Sequence, residues 1–113
     1  MVQHLVLIKP RADLTSQQKK ALIDAFKRAI AEIPTVKHVR VGRRIVHDAS
    51  YEPQATDTAD FLIALDFDDL AGLQAYLRHP AHEELGERFG QSISSAWVCD
   101  FEVGGVEQLD ALA

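Results

Sequence analysis

Cysteine is nearly absent from this chain of 113 residues, and Cys99 is the only one. A single cysteine excludes an intramolecular disulfide and a cysteine-based zinc cluster. The sequence also has no glycine-rich phosphate loop, no serine-centred nucleophile elbow and no dinucleotide-binding fingerprint. Because Cys99 alternates with Trp97 and Phe101, we expect a small core residue there and not a nucleophile.

Long hydrophobic runs are also missing. The apolar run of residues 5–8 stops at Lys9 and Pro10, and no run approaches the roughly 20 apolar residues of a membrane span. No basic segment precedes it, so we expect no secretory signal. Twelve basic residues against seventeen acidic ones give a net charge of −5, which argues against broad nucleic-acid binding. We predict a cytoplasmic protein with one domain over residues 1–113, a short tail from about 104, and neither membrane nor nucleic acid as a partner.

The first half of the chain predicts a strand, a helix and a second strand. Residues 3–9 alternate and then become continuously apolar, as a strand does. Thr15 followed by Gln18 fits a capping box, and Pro34 ends the helix that follows. The apolar face of that helix comprises Leu22, Phe26, Ala29 and Ile33. Residues 36–46 predict the second strand, with a kink or bulge at Gly42, and residues 47–58 predict a loop.

The second half predicts a strand, a helical region split in two, and a last strand. Residues 59–67 predict a strand, in which residues 61–65 are apolar on both faces. Asp68 or Asp69 can cap a helix, which Pro80 breaks before starting the next one. Residues 95–103 predict the final strand.

This β-α-β-β-α-β order predicts an α+β, ferredoxin-like fold, in which a four-stranded antiparallel sheet carries helices on one face. The other face of such a sheet would be bare. Yet Leu5 and Leu7 lie on one side of the first strand while Val6 and Ile8 lie on the other, so both faces are apolar. We therefore predict a homodimer whose sheets pack together into a dimeric α/β barrel with an apolar cavity inside.

Histidine and tyrosine supply the candidate chemistry. His82 shares a helix face with Leu85 and Phe89, so it points inward. As a neutral imidazole it could remove a proton next to a carbonyl while the Tyr76 hydroxyl stabilises the enolate. The alternative is a buried histidine whose nitrogens are merely satisfied. His4 lines the pocket if its strand face is the barrel interior, and is otherwise a core or edge group.

A metal site is not expected. His79 and His82 with Glu83 have a suggestive spacing, but Pro80 interrupts their helical face, and zinc needs three or four preorganised ligands. His79 directly precedes the proline and is expected to end a helix or to make a hydrogen bond.

A basic stretch lies inside this acidic chain. We interpret it as a solvated strand rim or, alternatively, as a mouth that attracts an anionic ligand such as a carboxylate or a thioester. Its members are Lys37, His38, Arg40, Arg43 and Arg44.

Several of these segments together resemble a known family. The segments are His4-Leu5-Val6-Leu7-Ile8-Lys9, the helix end at Ile33-Pro34, Gly42, Asp60 and, most specifically, Tyr76-Leu77-Arg78-His79-Pro80-Ala81-His82. They are similar to the stress-responsive A/B barrel (Dabb) family of dimeric α/β-barrel proteins, over about residues 2–103.

The resemblance implies a function as well as a fold. Plant members are linked to stress or defence, and one, a polyketide cyclase, performs a cofactor-free aldol cyclisation. Its acid/base pair matches Tyr76 and His82, and its N-terminal strand histidine matches His4. A further pocket histidine of the cyclase corresponds to Phe61 here, so one polar group is missing.

We therefore predict a protein that binds a small organic molecule, with His82 and Tyr76 as catalytic residues and His4, Phe61 and His79 contacting the substrate. Any reaction would be aldol cyclisation, isomerisation or decarboxylation without a cofactor. The alternatives are a stress-response binding module without turnover and a cofactor-independent monooxygenase, the latter from fold analogy.

Overall fold

The computed structural model describes residues 1–54 and 59–113, and the predicted loop over 47–58 therefore falls partly outside the described residues. The elements are β1 (Val2–Pro10), α1 (Ser16–Glu32), β2 (His38–Arg43), β3 (Phe61–Phe67), α2 (Leu70–Arg78), α3 (Pro80–Ser92) and β4 (Ile93–Glu102). Two short 3₁₀ helices, Glu52–Gln54 and Val106–Leu112, lie outside this framework. No helix in the described ranges is long and apolar enough to cross a membrane.

The four strands form one antiparallel sheet in the order β2-β3-β1-β4, so the predicted ferredoxin-like fold is confirmed. The predicted bulge at Gly42 is wrong, since this residue pairs with Leu62 in an uninterrupted register. The irregularity lies between Lys9 and Pro10 instead. Proline has no N–H to donate to a neighbouring strand, which makes the end of β1 a natural place for the shift.

The helix boundaries follow local sequence signals. Thr15 and Gln18 form the predicted capping box at the start of α1. Asp69 caps α2 by accepting a hydrogen bond from the Gly72 amide at 2.9 Å. Pro80 opens α3, where its missing N–H would have had no helical partner in any case.

The hydrophobic core lies between the three helices and one face of the sheet. Val6 and Ile63 represent the sheet side, and Leu22 and Leu85 the helix side; all four are buried. Each such side chain contributes about 1.5–3 kcal/mol when it leaves water. The sheet face toward the helices is therefore the face that carries the even-numbered residues of β1.

The other sheet face is open in the single chain. It carries apolar side chains from three neighbouring strands, with Trp97 67% and Phe101 50% exposed. The remaining apolar members of this open face are Leu5, Leu7, Leu62, Ala64 and Cys99. Cys99 is only half-buried here, so within one chain it lies at a surface and not in the predicted core.

Candidate functional site

A sharp elbow between α2 and α3 brings Tyr76 and His82 together. On one straight α-helix, residues six apart would point about 120° apart around the axis, to different sides. His79 ends α2 and caps α3 in an extended conformation, with φ −70° and ψ 141°. The chain direction changes there, and the Tyr76 and His82 ring centroids come to 4.8 Å.

His79 therefore has a structural task at this elbow. Its Nδ1 accepts a hydrogen bond from the Ala81 amide at 3.0 Å, which is the N-cap interaction of α3. His79 both ends a helix and makes a hydrogen bond, as its position directly before Pro80 predicts. Contact of His79 with a substrate stays a prediction.

His4 joins the pair from the sheet. It is buried at 5% exposure on the helix-covered face of β1, and its ring centroid lies 5.8 Å from that of Tyr76. Phe67 of β3 packs against Tyr76 from the same face, at 5.3 Å between centroids. His4, Tyr76 and His82 thus form one cluster, which we call the histidine–tyrosine cluster.

The location of this cluster bears on the two alternatives given for His4, a residue lining the barrel interior between two facing sheets or a core or edge group. His4 lies on the face that the chain's own helices cover, and not on the face open to a second sheet. Because adjacent residues of a strand point to opposite faces, Leu5 takes the open face that His4 does not.

Asp100 is a member of the site that sequence reasoning missed. It lies directly opposite His4 on β4, and its Oδ1 accepts a hydrogen bond from His4 Nδ1 at 2.6 Å. A carboxylate only accepts hydrogen bonds, so His4 donates its Nδ1–H in this contact. A charged residue between the apolar Cys99 and Phe101 was the available signal, but its partner depends on strand register.

The protonation states suit a site for proton transfer. Burial raises the pKa of Tyr76 to about 12, so its hydroxyl stays protonated and can donate a hydrogen bond. The pKa of His82 lies below its ordinary value, mainly through burial and secondarily through the charge of a protonated His4. The Leu77 carbonyl opposes this shift without cancelling it. His82 is therefore a neutral imidazole at neutral pH.

Phe61 is not part of the cluster. It shares the helix-covered face, but it pairs with Ile8, four residues along β1 from His4. At the usual rise of a strand this is about 13 Å away. Phe61 instead lines a separate cavity of about 330 Å³, together with Leu7, Gly42, Arg43, Arg44, Ala59 and Leu62.

Two of the predicted basic residues lie at this cavity. Arg44 forms an ion pair with Glu52 at 2.8 Å, so its charge is largely neutralised within the chain. Arg43 is exposed at the rim. Attraction of an anionic ligand to these residues stays a prediction, and it concerns a place that is separate from the histidine–tyrosine cluster.

No group of three or more metal-ligating side chains comes together in the part of the chain that the structure describes. His82 lies against Tyr76, whereas His79 Nδ1 is engaged by the Ala81 amide. The His79–His82 spacing thus forms no cluster here, and the site is built from imidazoles, a phenol and a carboxylate.

Comparisons with known proteins bear on the same elements. The model of the Stress Responsive A/B Barrel Domain matches residues 2–103, which confirms the resemblance seen in the sequence. Olivetolic acid cyclase from Cannabis sativa is 24% identical over 86 residues, which is 76% of this chain and 80% of the cyclase.

Solved structures share the fold. A hydroxynitrile lyase from Passiflora edulis superposes with a TM-score of 0.77 at 15% identity, covering 93% of this chain and 94% of the lyase. A dimeric ferredoxin-like protein of unknown function from Thermobifida fusca has a TM-score of 0.68 at 22% identity, covering 90% of each chain. At these identities the likeness shows the fold alone.

Proposed function

Because the chain belongs to the stress responsive A/B barrel domain family, we propose that it binds a small organic molecule at the histidine–tyrosine cluster and transfers protons there without a cofactor. The observation that carries the proposal is the convergence of His4 from the first strand with Tyr76 and His82 from two helices far along the chain. The pKa values of Tyr76 and His82 are both shifted, and shifted titratable groups concentrate at functional sites.

The proposed chemistry is proton transfer next to a carbonyl, of the aldol-cyclisation, isomerisation or decarboxylation type. A neutral His82 can accept the proton, while the protonated Tyr76 hydroxyl donates a hydrogen bond to the oxygen where negative charge develops. Olivetolic acid cyclase is a distant relative whose name fits this class. Phe61 lies about 13 Å from His4 by strand rise, so the roles assigned here do not depend on it.

We also propose that the working unit is a homodimer. The open face of the sheet leaves Trp97 and Phe101 largely in water, which is costly for a single chain and ordinary for an interface. Dimeric proteins share this fold. A second copy would cover the open face, whereas the histidine–tyrosine cluster would stay between the sheet and helices of each chain.

The test begins with the ligand. The protein is purified, denatured and extracted, and released small molecules are identified by mass spectrometry, with a Tyr76→Phe, His82→Ala double variant treated identically. We expect a small organic molecule that the wild-type protein retains and the variant loses. Equal amounts in both preparations would place the molecule elsewhere and remove the proposed site.

Turnover of the identified molecule, or of its precursor, separates the enzyme from the alternatives. We expect His82→Ala and Tyr76→Phe each to abolish conversion while circular dichroism shows the fold intact, with exposed His38→Ala as the matched control. Binding without conversion would identify a stress-response binding module. Consumption of molecular oxygen during conversion would identify a monooxygenase instead.

A further inference from the structure

We propose that residues 104–113, which follow β4 and which we call the arm, pack along β2 of a second copy of this chain. The inference rests on the proposed homodimer and goes beyond it, since the matched family model ends at residue 103 and does not account for the arm. The arm is folded: the Gln108 amide donates a hydrogen bond to the Gly105 carbonyl at 3.0 Å, and the Gly105 amide donates one to the Glu107 carboxylate at 2.8 Å. Yet each of its residues is exposed in the single chain.

The 3₁₀ helix of the arm has an apolar stripe beside an acidic one. Such a helix has three residues per turn, so side chains three positions apart align along it. The apolar stripe consists of Val106, Leu109 and Leu112, which are 80%, 61% and 84% exposed. Glu107 and Asp110 form the neighbouring stripe. A continuous apolar stripe of this kind, bordered by charge, is typical of a surface that another element covers.

The charge of the arm complements that of one strand. Residues 102–113 contain Glu102, Glu107 and Asp110 but no lysine or arginine. Residues 37–44, which include β2, contain no acidic residue. Their cations are Lys37, Arg40, Arg43 and Arg44. Opposite charges set the orientation of two surfaces, whereas the burial of apolar side chains supplies most of the affinity.

This strand also offers an apolar side chain among its charges. Val41 lies on β2 directly after Arg40 and is 68% exposed, because the helices do not cover this edge of the sheet. The edge of β2 thus has the same combination as the arm, an exposed apolar side chain flanked by charge, with the charge reversed. A second copy of the chain is therefore the occupant that the arm fits.

The strand order indicates that the two surfaces meet between copies. β2 and β4 are the two edges of the sheet, and β3 and β1 lie between them. At about 4.8 Å between neighbouring strands, the two edges of one chain lie about 14 Å apart. β4 nevertheless ends at the end of the sheet where β2 begins, since Glu102 pairs with Val2 and His38 pairs with Asp66, next to the Phe67 that also pairs with Val2.

The charges also select one arrangement of the two sheets. A two-fold axis along the strands places β4 of one copy over β2 of the other, with the arm at the start of the partner strand. An axis across the strands would instead place the two basic β2 strands against each other, and like charges in contact oppose association. The first arrangement is therefore the favoured one.

The arm has the length that this contact requires. Its helix has seven residues, which span about 14 Å at the usual rise of a 3₁₀ helix. Val41 pairs with Ile63, four residues before the end of β3 at Phe67, which is about 13 Å along the sheet. An arm that runs along β2 of the partner thus places its apolar stripe against Val41 and its acidic stripe beside Arg40.

The first test measures the dimer dissociation constant by sedimentation velocity over a concentration series. Leu109→Ser removes an apolar side chain from both arms of a symmetric dimer while sparing the core, because Leu109 is exposed in the single chain. A buried leucine is worth about tenfold or more in an equilibrium constant, so we expect the dimer to weaken by about a hundredfold. Ala111→Ser, in the same helix but off the apolar stripe, is the matched control and should have far less effect.

The second test locates the arm by cross-linking. Cys99→Ser removes the native thiol from two populations of the full chain, one of which carries Leu109→Cys and the other, with a mass tag, Val41→Cys. We expect mild oxidation of the mixture to join a tagged chain to an untagged one. Ile23→Cys in place of Val41→Cys tests specificity at another exposed apolar position and should give no such product.

The outcomes separate this inference from the proposed function. A wild-type dimer whose dissociation constant is unchanged by Leu109→Ser would overturn the role of the arm and leave the dimer in place. Equal cross-linking to Val41→Cys and Ile23→Cys would also overturn it. So would a disulfide formed only within a single chain that carries both Leu109→Cys and Val41→Cys. A monomeric wild-type protein would remove the proposed homodimer and the arm contact together, whereas ligand binding at the histidine–tyrosine cluster is measured independently.

Discussion

The Tyr76 ring stands edge-on to the His82 imidazole, with 4.8 Å between their centroids. This contact joins two helices that meet at an elbow, and it buries the phenol almost completely, at 2% exposure. The elbow depends on His79 and Pro80, neither of which needs to touch a ligand for the site to exist. The end of one helix and the start of the next at these two residues thus create the geometry on which the proposed chemistry relies.

The first prediction concerns the ionisation of Tyr76. Burial raises its pKa to about 12, so one of the two tyrosines in the chain should form its phenolate only near that pH. Spectrophotometric titration should show this component in wild-type protein and in Tyr51→Phe, but not in Tyr76→Phe. A high-pH component that survives in Tyr76→Phe would contradict the assignment.

The same shift has a consequence for stability at alkaline pH. The folded pKa lies above the unfolded value of about 10, so its contribution is complete below pH 10 and is lost as pH rises through about 12. Two units correspond to about 2.7 kcal/mol as an order of magnitude. Urea unfolding between pH 9 and about 12 should show a shallower loss for Tyr76→Phe than for wild type.

The pKa shift of His82 is opposite in direction to that of Tyr76 and gives a second prediction of how stability depends on pH. Its folded pKa is lowered below the unfolded value of about 6.5, so the unfolded chain binds a proton first as the solution is acidified. Its contribution to stability is present above pH 6.5 and is lost as pH falls through the folded pKa. His82→Gln should flatten this part of the stability curve, whereas exposed His38→Gln should leave it unchanged; similar curves for both variants would contradict the prediction.

The third prediction concerns the elbow. His79→Ala removes the acceptor for the Ala81 amide and should cost about 1 kcal/mol of unfolding free energy, the usual value of an N-cap. His79→Asn retains a capping acceptor and should recover most of that loss. The measurement is urea unfolding at pH 7.5; no difference between the two substitutions would show that the cap contributes nothing.

The fourth prediction concerns the open face of the sheet. Trp97→Glu places a charge where the second copy should pack, and should shift the protein from dimer to monomer in light scattering at micromolar concentration. Trp97 is 67% exposed in one chain, so this change spares the core of the monomer. Ile23→Glu on α1, also at an exposed position, should leave the dimer intact. A wild-type protein that is monomeric at this concentration would contradict the proposed dimer.

The parts of the fold that were predictable depend on short-range signals. Thr15 with Gln18 and Pro80 each set a helix boundary through hydrogen bonds or chain restrictions within a few residues. Alternation along the chain placed His4 with Val6 and Ile8 on one face. It could not tell which of two apolar faces the helices cover, because both patterns are nearly equally hydrophobic. The alternation therefore left open whether the face of His4 is covered by the chain's own helices or by a second copy.

Asp100 shows the other limit of sequence reasoning. It is separated from His4 by 96 residues, and their contact depends on the register of β1 against β4. A slip of one residue would turn Asp100 to the opposite face and leave His4 without its carboxylate. Nothing local to either residue specifies that register.

The sequence by itself determined three features of this protein. Cysteine is scarce, a long apolar run is absent, and short spacings separate Tyr76, His79, Pro80 and His82. These features limited the chemistry to acid/base side chains and supplied the elbow, because each acts over a few residues of chain. The tertiary structure alone decided which sheet face holds the site and which imidazole meets a carboxylate. Those choices depend on packing between distant segments, where the free energy of burial and the register of the sheet select one arrangement for the whole chain.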